Sequence, residues 1–180
     1  MNVLETERLI LRRFTVDDDA FILELLNDPA WLRFIGDKGV KTLADARGYL
    51  RKGPIDMYAR LGFGAYLAMR KSDGVAMGLC GLIKREELPD VDLGFAFLPS
   101  YRSMGYGYES ASAVMVHARK AFGLTRLVAI TSPDNVVSAR LLEKLGFVYE
   151  KMVNLAEGTP EVRLFAASVP DGQKKTGLPS

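Results

Sequence analysis

Residues 98–109 read Leu-Pro-Ser-Tyr-Arg-Ser-Met-Gly-Tyr-Gly-Tyr-Glu, and they run from the end of an apolar strand through a glycine loop into a helix. Gly105 and Gly107 can adopt backbone angles that are closed to other residues, and they let a ligand approach the chain. The first amides of the helix have no partner within it, and the helix dipole adds roughly half a positive charge there. The stretch therefore predicts a phosphate or pyrophosphate site, with Arg102 as a mobile cation at its rim.

Two well-known phosphate loops do not fit these residues. A P-loop has Lys followed by Ser or Thr after its last glycine, whereas Tyr108 and Glu109 follow Gly107 here. A dinucleotide fingerprint lies in a parallel βαβ unit, whereas this loop follows three runs that are typical of an antiparallel meander. A glycine loop alone also fits an ordinary strand-to-helix turn, so the interpretation depends on the rest of the sequence.

Apolar periodicity predicts a chain that alternates between strands and helices. Predicted strands cover residues 9–14, 63–69, 77–83, 91–98, 127–131, 147–154 and 161–167. One predicted helix follows Thr15, which acts as its cap. Three further helices are predicted over residues 42–52, 107–122 and 135–145. Residues 71–74 contain Asp-Gly, a strong hairpin signal between two of the strands. The order predicts an α/β layered fold with a mixed sheet and helices on both faces.

Length and composition bound the domain organisation. At 180 residues and 48% hydrophobic content, the chain has the size of one domain that can bury a substantial core. We expect a single domain over residues 1–168. Residues 169–180 are rich in Pro, Gly and Lys, and we expect them to form a disordered tail.

Charge and cysteine content exclude several classes of partner. The net charge is only +2 with both signs intermixed, so no basic stripe points to nucleic acid. No uncharged stretch approaches bilayer-spanning length, and no basic-then-apolar leader precedes Glu5. The single Cys80 cannot form an internal disulfide and lacks partners for a metal cluster. We therefore expect a cytoplasmic protein without membrane, nucleic-acid or metal partners, either a monomer or a homodimer.

Three stretches resemble the GNAT acetyltransferase superfamily and, within it, the branch of ribosomal-protein N-terminal alanine acetyltransferases. The family's coenzyme A loop has the pattern Arg/Gln-x-x-Gly-x-Gly/Ala, which residues 102–107 match as Arg-Ser-Met-Gly-Tyr-Gly. Residues 135–147, Asn-Val-Val-Ser-Ala-Arg-Leu-Leu-Glu-Lys-Leu-Gly-Phe, are similar to the family helix that begins at an Asn and ends in Leu-Gly-Phe. Residues 5–12 resemble the branch's opening strand. The resemblance covers residues 4–168 and implies a central mixed, mostly antiparallel sheet flanked by helices on both faces.

The resemblance implies acetyl-coenzyme A as the cosubstrate and no metal. In the family, the pyrophosphate lies on the loop amides and the pantetheine arm pairs like an added strand with the strand before the loop. The residues implied are Phe95, Phe97 and Leu98 on the strand, Arg102, Met104, Gly105, Tyr106, Gly107 and Tyr108 in the loop, and Asn135. Asn135 is also a favoured helix cap, and capping alone explains it equally well.

The resemblance also implies a proton acceptor for the amine. In this superfamily an acidic residue two positions before the strand's glycine often has that role, and Asp92 stands there before Gly94. Strand alternation places Asp92 on one face with Gly94 and Ala96. A plain surface aspartate is the alternative interpretation, and Glu86 and Glu87 are alternative bases.

A proton donor for the departing thiolate is less clear in the sequence. Many superfamily members have a Tyr where this chain has Leu142, which has no proton to give. In the ribosomal-protein branch the proposed substitute is a Ser three residues after the Asn, and Ser138 stands at that position. The alternative interpretation is that Ser138 is only a small residue in the interior of the helix. In the family, a helical segment covers the acceptor cleft. The aromatic residues at that place in this chain are Trp31, Phe34 and Tyr49. Core packing explains their aromatic side chains equally well.

Taken together, these features lead us to expect an N-acetyltransferase that moves acetyl directly from acetyl-coenzyme A to a primary amine. A protein N-terminal α-amine is the leading acceptor, and a polyamine, amino acid or aminoglycoside is the alternative. A catalytically silent coenzyme A-binding regulatory domain is the alternative of a different class, because the binding motif is complete whereas the catalytic residues are partly inferred.

Overall fold

An eight-stranded sheet forms the centre of the computed structural model, which describes residues 1–169 and residue 171. The strands are β1 (Asn2–Glu5), β2 (Leu9–Arg13), β3 (Ala65–Arg70), β4 (Ala76–Ile83), β5 (Asp92–Phe97), β6 (Arg126–Thr131), β7 (Val148–Val153) and β8 (Val162–Ser168). Their order across the sheet is β1-β2-β3-β4-β5-β6-β8-β7, and all neighbours are antiparallel except β5 and β6. The expected mixed, mostly antiparallel sheet is therefore confirmed.

Helices flank this sheet, and their starting residues agree with the sequence signals. The α-helices are α1 (Asp19–Leu26), α2 (Pro29–Phe34), α3 (Leu43–Leu50), α4 (Asp56–Leu61), α5 (Tyr106–Phe122) and α6 (Val136–Lys144). Thr15 caps a short 3-10 turn that leads into α1, and its amide donates to Asp18 at 2.8 Å. Thr42 caps α3 in the same reciprocal way with Asp45. Such capping boxes satisfy amides that a helix start leaves unpaired.

Two elements differ from the sequence prediction. The pattern predicts no strand at Asn2–Glu5, which is a short edge strand that pairs with β2 alone. The helix predicted to end at residue 52 instead continues through a widened turn, Arg51–Ile55, into α4. Gly53 takes the kink with φ −99° and ψ −105°, and Pro54 can follow it because proline has no amide that needs a partner.

Both faces of the sheet are covered, as the element order predicted. On one face α5 and α6 pack against Leu93, Phe97 and Leu127 in one buried cluster. On the other face α1, α2 and α3 pack against Leu67 and Leu79 in a second cluster. Burying each face against a separate helical layer is what makes a mixed sheet stable on both sides.

The described chain ends close to the last strand. Val169 is buried, and its amide donates to the Thr125 carbonyl at 2.9 Å. The expectation that a disordered tail begins at residue 169 is therefore wrong for Val169 itself, because its side chain is buried and its amide is bonded. Residue 170 and residues 172–180 of the expected tail lie outside the described residues. Within the described part of the chain, no helix is both long and apolar enough to cross a membrane.

The close approach of β4 to the loop before β3 generates a stability prediction. A Cβ added at Gly81 would lie 2.3 Å from the Gly64 carbonyl oxygen and 2.6 Å from the Ala65 Cα, both of them backbone atoms. Gly81→Ala is therefore expected to lower the free energy of unfolding by about 1–3 kcal/mol, as overpacking does. Urea denaturation followed by circular dichroism measures this change.

Gly48→Ala is the matched control, because Gly48 lies within α3 and a Cβ there meets nothing within 4 Å. We expect it to raise the free energy of unfolding by roughly 0.5–1 kcal/mol through the higher helix propensity of alanine. Equal losses in the two variants would contradict a specific clash at Gly81.

Candidate active site

A wedge-shaped cleft opens between β5 and β6, the only parallel neighbours in the described sheet. The two strands pair at a single position, Asp92 with Val128, where the Val128 amide donates to the Val91 carbonyl at 3.0 Å. Beyond this point the strands diverge, while β5 stays fully paired with β4 on its other edge. We call this opening the β5–β6 cleft and the paired position its vertex.

The divergence leaves hydrogen-bonding groups of β5 without a strand partner. Leu98 donates its amide to the Met77 carbonyl on the β4 side at 2.9 Å, whereas Val91 faces β6. Because the direction of these groups alternates along a strand, the amide and carbonyl groups of Phe95 and Phe97 point into the β5–β6 cleft. The Phe95 groups and the Phe97 amide can therefore pair with an extended ligand, whereas the Phe97 carbonyl already accepts from Arg102 and the Leu98 amide is already used.

The loop after β5 ends in an uncapped helix start. Gly105 is the N-cap of α5 with φ +84°, and no side chain caps the helix. The Glu109 amide donates to the Gly105 carbonyl at 3.0 Å, so the earlier amides of Tyr106, Gly107 and Tyr108 have no partner within the helix. Ser103 also has a positive φ of +61°. The 17-residue helix α5 thus presents free amides and its positive dipole end to the cleft.

Arg102 is held in place, which corrects the expectation of a mobile cation at the rim. Its Nε donates to the Phe97 carbonyl at 2.9 Å, and one terminal nitrogen donates to Asp28 at 2.5 Å. Asp28 is buried and also accepts the amides of Ala30 and Trp31 as the cap of α2. These bonds direct the guanidinium toward Asp28. The sequence pattern therefore predicts the position of Arg102 in the loop but not the contacts of its side chain.

A second clamp on the loop escaped sequence reasoning. Glu109 accepts the Thr6 hydroxyl at 2.7 Å, the Arg8 amide at 2.9 Å and the Arg8 Nε at 2.7 Å. Arg8 also donates to the Met104 carbonyl at 3.0 Å and stacks 4.3 Å from the centre of the Tyr106 ring. The turn between β1 and β2 therefore fixes the loop from outside. Only the similarity of residues 5–12 to a family strand hinted at this contribution.

The structure requires a glycine at position 107 for a different reason from the predicted backbone angle. It lies in the first turn of α5 and does not have a positive φ. A Cβ added there would lie 3.0 Å from the Leu141 Cδ2 of α6. Gly107 therefore lets α5 and α6 approach each other, while Gly105 alone provides the left-handed backbone angle. Nearby, the Lys144 Nζ lies 4.4 Å from the centre of the Tyr108 ring and links the same two helices.

Helix α6 starts on the far wall of the cleft, directly after β6. The Asn135 Oδ1 accepts the Ser138 amide at 3.2 Å, so the predicted capping role of Asn135 is confirmed. Ser138 is half-buried one turn into the helix, and its hydroxyl makes no hydrogen bond within the described residues. Leu142 is buried in the core. The position that carries a tyrosine in many relatives is thus apolar and closed to solvent here.

Asp92 lies at the vertex and is only 2% exposed. Leu93 and Phe97 belong to the core cluster under α5, whereas Ala96 borders the cluster under α1 to α3, so the predicted strand alternation is confirmed. Asp92 shares the face of Ala96, and its Oδ2 accepts the Arg85 Nε at 2.8 Å. Burial raises the pKa of Asp92 to about 6, although the Arg85 charge and hydrogen bond oppose this.

Lys38 and Tyr49 lie near Arg85, the arginine that pairs with Asp92. The chain around Lys38 partly removes water from its ammonium group and lowers its pKa, and the charge of Arg85 lowers the pKa further. Burial raises the pKa of Tyr49 on α3. An open pocket of about 340 Å³ continues from Val128 along β6 and β8. Glu86 and Glu87, the alternative bases, are exposed.

The aromatic residues of α2 and the single cysteine are buried or half-buried. Trp31 is buried and Phe34 half-buried on α2, on the same face of the sheet as Asp92. Cys80 is a buried free thiol. In the described residues no cluster of His, Cys, Asp and Glu is arranged to hold a metal ion. The structure thus places the start of α5 against α6 through Gly107 and Leu141, with Asp92 where β5 meets β6.

Comparison with known proteins agrees with this geometry. The model of the acetyltransferase (GNAT) domain family matches residues 8–148, and the chain belongs to this family. It is therefore an acetyltransferase that uses acetyl-coenzyme A. An uncharacterized N-acetyltransferase of Bacillus subtilis (strain 168), YnaD, is 26% identical over 143 residues, which are 79% of this chain and 81% of YnaD.

Solved structures share the fold over nearly the whole chain. An acetyltransferase from Agrobacterium tumefaciens str. C58 is similar with a TM-score of 0.77 and 24% identity, covering 91% of this chain and 92% of that one. RimL, a ribosomal L7/L12 alpha-N-protein acetyltransferase solved in complex with coenzyme A, is similar with a TM-score of 0.77 and 18% identity, covering 94% and 98%. At these identities the likeness is one of fold.

The left-handed backbone of Gly105 generates a binding prediction. An alanine there favours other backbone angles by about 1–2 kcal/mol, and the loop must be forced back before its amides can face a phosphate. Gly105→Ala is therefore expected to weaken acetyl-coenzyme A binding by about tenfold, the factor that corresponds to about 1.4 kcal/mol. Isothermal titration calorimetry measures this affinity.

Gly123→Ala is the matched control, because Gly123 caps the other end of α5 with φ +65° and a Cβ there meets nothing within 4 Å. It imposes similar backbone strain away from the cleft and should leave the affinity unchanged. An unchanged affinity in Gly105→Ala would remove the loop from the binding site.

Proposed function

We propose that this acetyltransferase transfers acetyl from acetyl-coenzyme A directly to a primary amine, with a protein N-terminal α-amine as the acceptor. The observation that carries the proposal is the vertex. There a buried carboxylate, Asp92, faces the helices α1 to α3 on one side of the sheet, while the open edge of β5 and the free amides of α5 face the cleft. The names of structural relatives support this acceptor class, since RimL is an alpha-N-protein acetyltransferase.

The donor side is built mainly from backbone groups. We assign the pyrophosphate to the free amides of Met104 to Tyr108, where the dipole of α5 adds positive charge. The pantetheine arm would pair with the cleft-facing groups of Phe95 and Phe97, and Asn135 would contact it from α6. Such pairing directs the thioester toward the vertex, because the arm must run along β5 from the loop.

Asp92 is the general base of this proposal. An amine attacks a thioester only in its neutral form, so a group at the vertex must accept its proton. A carboxylate with a pKa of about 6 is ionised at neutral pH and still basic enough to accept a proton through water. Arg85 holds this carboxylate through its Nε and fixes its orientation.

The cations around the vertex favour the same chemistry. Arg85 places positive charge at Asp92, Lys38 lies near Arg85, and positive charge destabilises a protonated amine. At pH 7 about one α-amine in ten is already neutral, against about one lysine side chain in 2,500, from their ordinary pKa values. A site that disfavours protonated amines and has only a modest base therefore suits an α-amine.

Ser138 is the proton donor to the departing thiolate in this proposal. Its hydroxyl has no competing partner within the described residues, and it lies one helical turn after Asn135, on the same face of α6. Leu142 is buried and has no proton to give. A thiol has a pKa near 8.5, so its thiolate leaves fairly well unaided. A hydrogen bond from the serine hydroxyl, which passes on a proton that it takes in turn from water, is therefore sufficient.

A thiol-release assay with acetyl-coenzyme A tests the proposed function. The acceptor panel contains peptides with free N-termini, the same peptides with blocked N-termini and an internal lysine, and small amines such as polyamines, amino acids and aminoglycosides. We expect turnover with free N-terminal peptides. Turnover only with small amines would assign the alternative acceptor class, and coenzyme A binding without turnover would assign a silent binding domain.

The pKa of Asp92 generates a prediction about pH. As pH falls through about 6, Asp92 becomes protonated and can no longer accept a proton, so kcat/KM should fall below that pH. Asp92→Asn should remove this limb of the profile and lower kcat/KM at pH 7 by about a hundredfold, the lower end for general-base catalysis. The loss should shrink above pH 9, where the amine is neutral without help.

Asp90→Asn is the matched control for this variant. Asp90 also pairs with an arginine, Arg126, but its carboxylate lies on the surface two residues before Asp92. It should keep the wild-type profile. A pH profile of Asp92→Asn that is parallel to wild type would exclude Asp92 as the base.

The position of Ser138 generates a second kinetic prediction. Ser138→Ala should leave acetyl-coenzyme A affinity nearly unchanged, because the loop and β5 are untouched, but lower kcat by roughly tenfold to a hundredfold. Ser138→Thr keeps a hydroxyl and should restore most of the rate. The measurement needs single-turnover conditions in which chemistry limits the rate. If the alanine variant keeps its rate there, the proton comes from water.

A further inference from the structure

Asp28 is a buried carboxyl side chain in an unusual setting. Its side chain is 5% exposed, at the junction of α1 and α2, and its Oδ2 accepts three hydrogen bonds. Two come from the Ala30 and Trp31 amides at 3.2 and 3.3 Å, and the third comes from Arg102 at 2.5 Å. A buried carboxylate is costly unless it is paired and hydrogen-bonded. The Arg102 charge therefore keeps this one stable, although 74 residues separate the two.

Arg102 belongs to the donor side of the molecule. Its Nε donates to the Phe97 carbonyl on the open edge of β5 at 2.9 Å, and three residues later the loop reaches Gly105 and the free amides of α5. One guanidinium therefore touches both the strand edge assigned to pantetheine and the cap of α2. Such charge-assisted bonds are directional and stronger than neutral ones.

Apolar packing reinforces the same connection. Leu98, directly after β5, is buried in one cluster with Trp31 of α2 and with Phe14 and Leu25. Helix α2 has only six residues, too few to be stable without tertiary contacts. Its order therefore depends on its cap, on this cluster and on the ion pair with Arg102.

We propose that the Asp28–Arg102 ion pair couples the two substrate sites, so that acetyl-coenzyme A bound at the loop orders helix α2 on the acceptor side. The inference rests on the proposed donor site. Fixing β5 and the loop restricts Arg102, and Arg102 restricts the cap of α2. Asp28 and Arg102 are thus positioning residues, and Arg102 acts through Asp28 rather than through the phosphates.

The chain has a built-in reporter for this coupling. Trp31 is its only tryptophan, its amide bonds to Asp28, and its buried indole N–H has no partner within the described residues. Tryptophan fluorescence and hydrogen exchange of residues 29–34 therefore both report on α2, and neither requires a known acceptor. Coenzyme A affinity is measured separately by calorimetry.

Asp28→Ser separates capping from coupling. Serine is as good a helix cap as aspartate, but its short side chain cannot reach Arg102. Arg102→Gln cuts the same ion pair from the other side. Asp19→Ser is the matched control, because Asp19 also forms a 2.7 Å ion pair with an arginine, Arg47, on neighbouring helices, away from the loop.

In the wild-type chain, saturating coenzyme A should slow hydrogen exchange in residues 29–34 by about fivefold to tenfold, within the usual range of coupling between sites, and should change the Trp31 emission. Asp28→Ser should bind coenzyme A but lose both responses, and Arg102→Gln should lose both responses at coenzyme A concentrations that calorimetry shows to be saturating for that variant; the double variant should resemble either single variant because the two residues act as one unit. Asp19→Ser should respond as wild type.

Three results would overturn the inference. A wild-type chain that binds coenzyme A without any response in α2 excludes the coupling and leaves the donor site intact. A full response in Asp28→Ser means that α2 senses the ligand by direct contact. Absence of coenzyme A binding in the wild-type chain refutes the donor site itself, and the coupling with it.

Discussion

The single pairing of β5 with β6 is the constraint on which the rest of the molecule depends. Two parallel strands that stayed paired along their length would close the sheet and leave no groups free. Here they meet at Asp92 and Val128 and then diverge, so the carboxyl ends of both strands point into the same opening. The helices that follow them, α5 and α6, begin on opposite sides of it. Gly107 then lets the two helices approach each other above the cleft.

Most of the fold could be predicted from local signals. Thr15 and Thr42 mark the starts of helices, because their hydroxyls cap them. The alternation along β5 correctly assigns Leu93 and Ala96 to opposite faces of the sheet. The failures have physical causes. Asn2–Glu5 is a short edge strand that tertiary pairing defines. Gly53 followed by Pro54 is a strong stop signal, yet the kink at Gly53 lets the chain remain helical.

The candidate site could be predicted only in part, because its motif residues are local whereas their partners are distant. The spacing of Arg102, Gly105 and Gly107 is visible in six consecutive residues. The partners are remote in sequence: Asp28 lies 74 residues from Arg102, and Arg8 lies 101 residues from Glu109. Pattern reasoning therefore identified the loop but treated Arg102 as mobile. It also expected Gly107 to need a backbone angle that is closed to other residues, since a helix-to-helix contact leaves no periodic signal.

In the proposed function the two substrates are bound by different kinds of group, and this difference determines which residues can vary between related chains. The donor side depends on peptide groups of β5 and α5, which any sequence supplies once the strands diverge and Gly105 turns the chain. On the proposed acceptor side Asp92 and Arg85 would act through their side chains, and Lys38 and Tyr49, which lie near Arg85, come from separate segments. Substitutions there can change the electrostatic field at the vertex without moving a donor amide. Under the proposed function, acceptor preference can therefore diverge between chains of this family while the fold and the loop stay the same, because the side chains around Asp92 would select the amine.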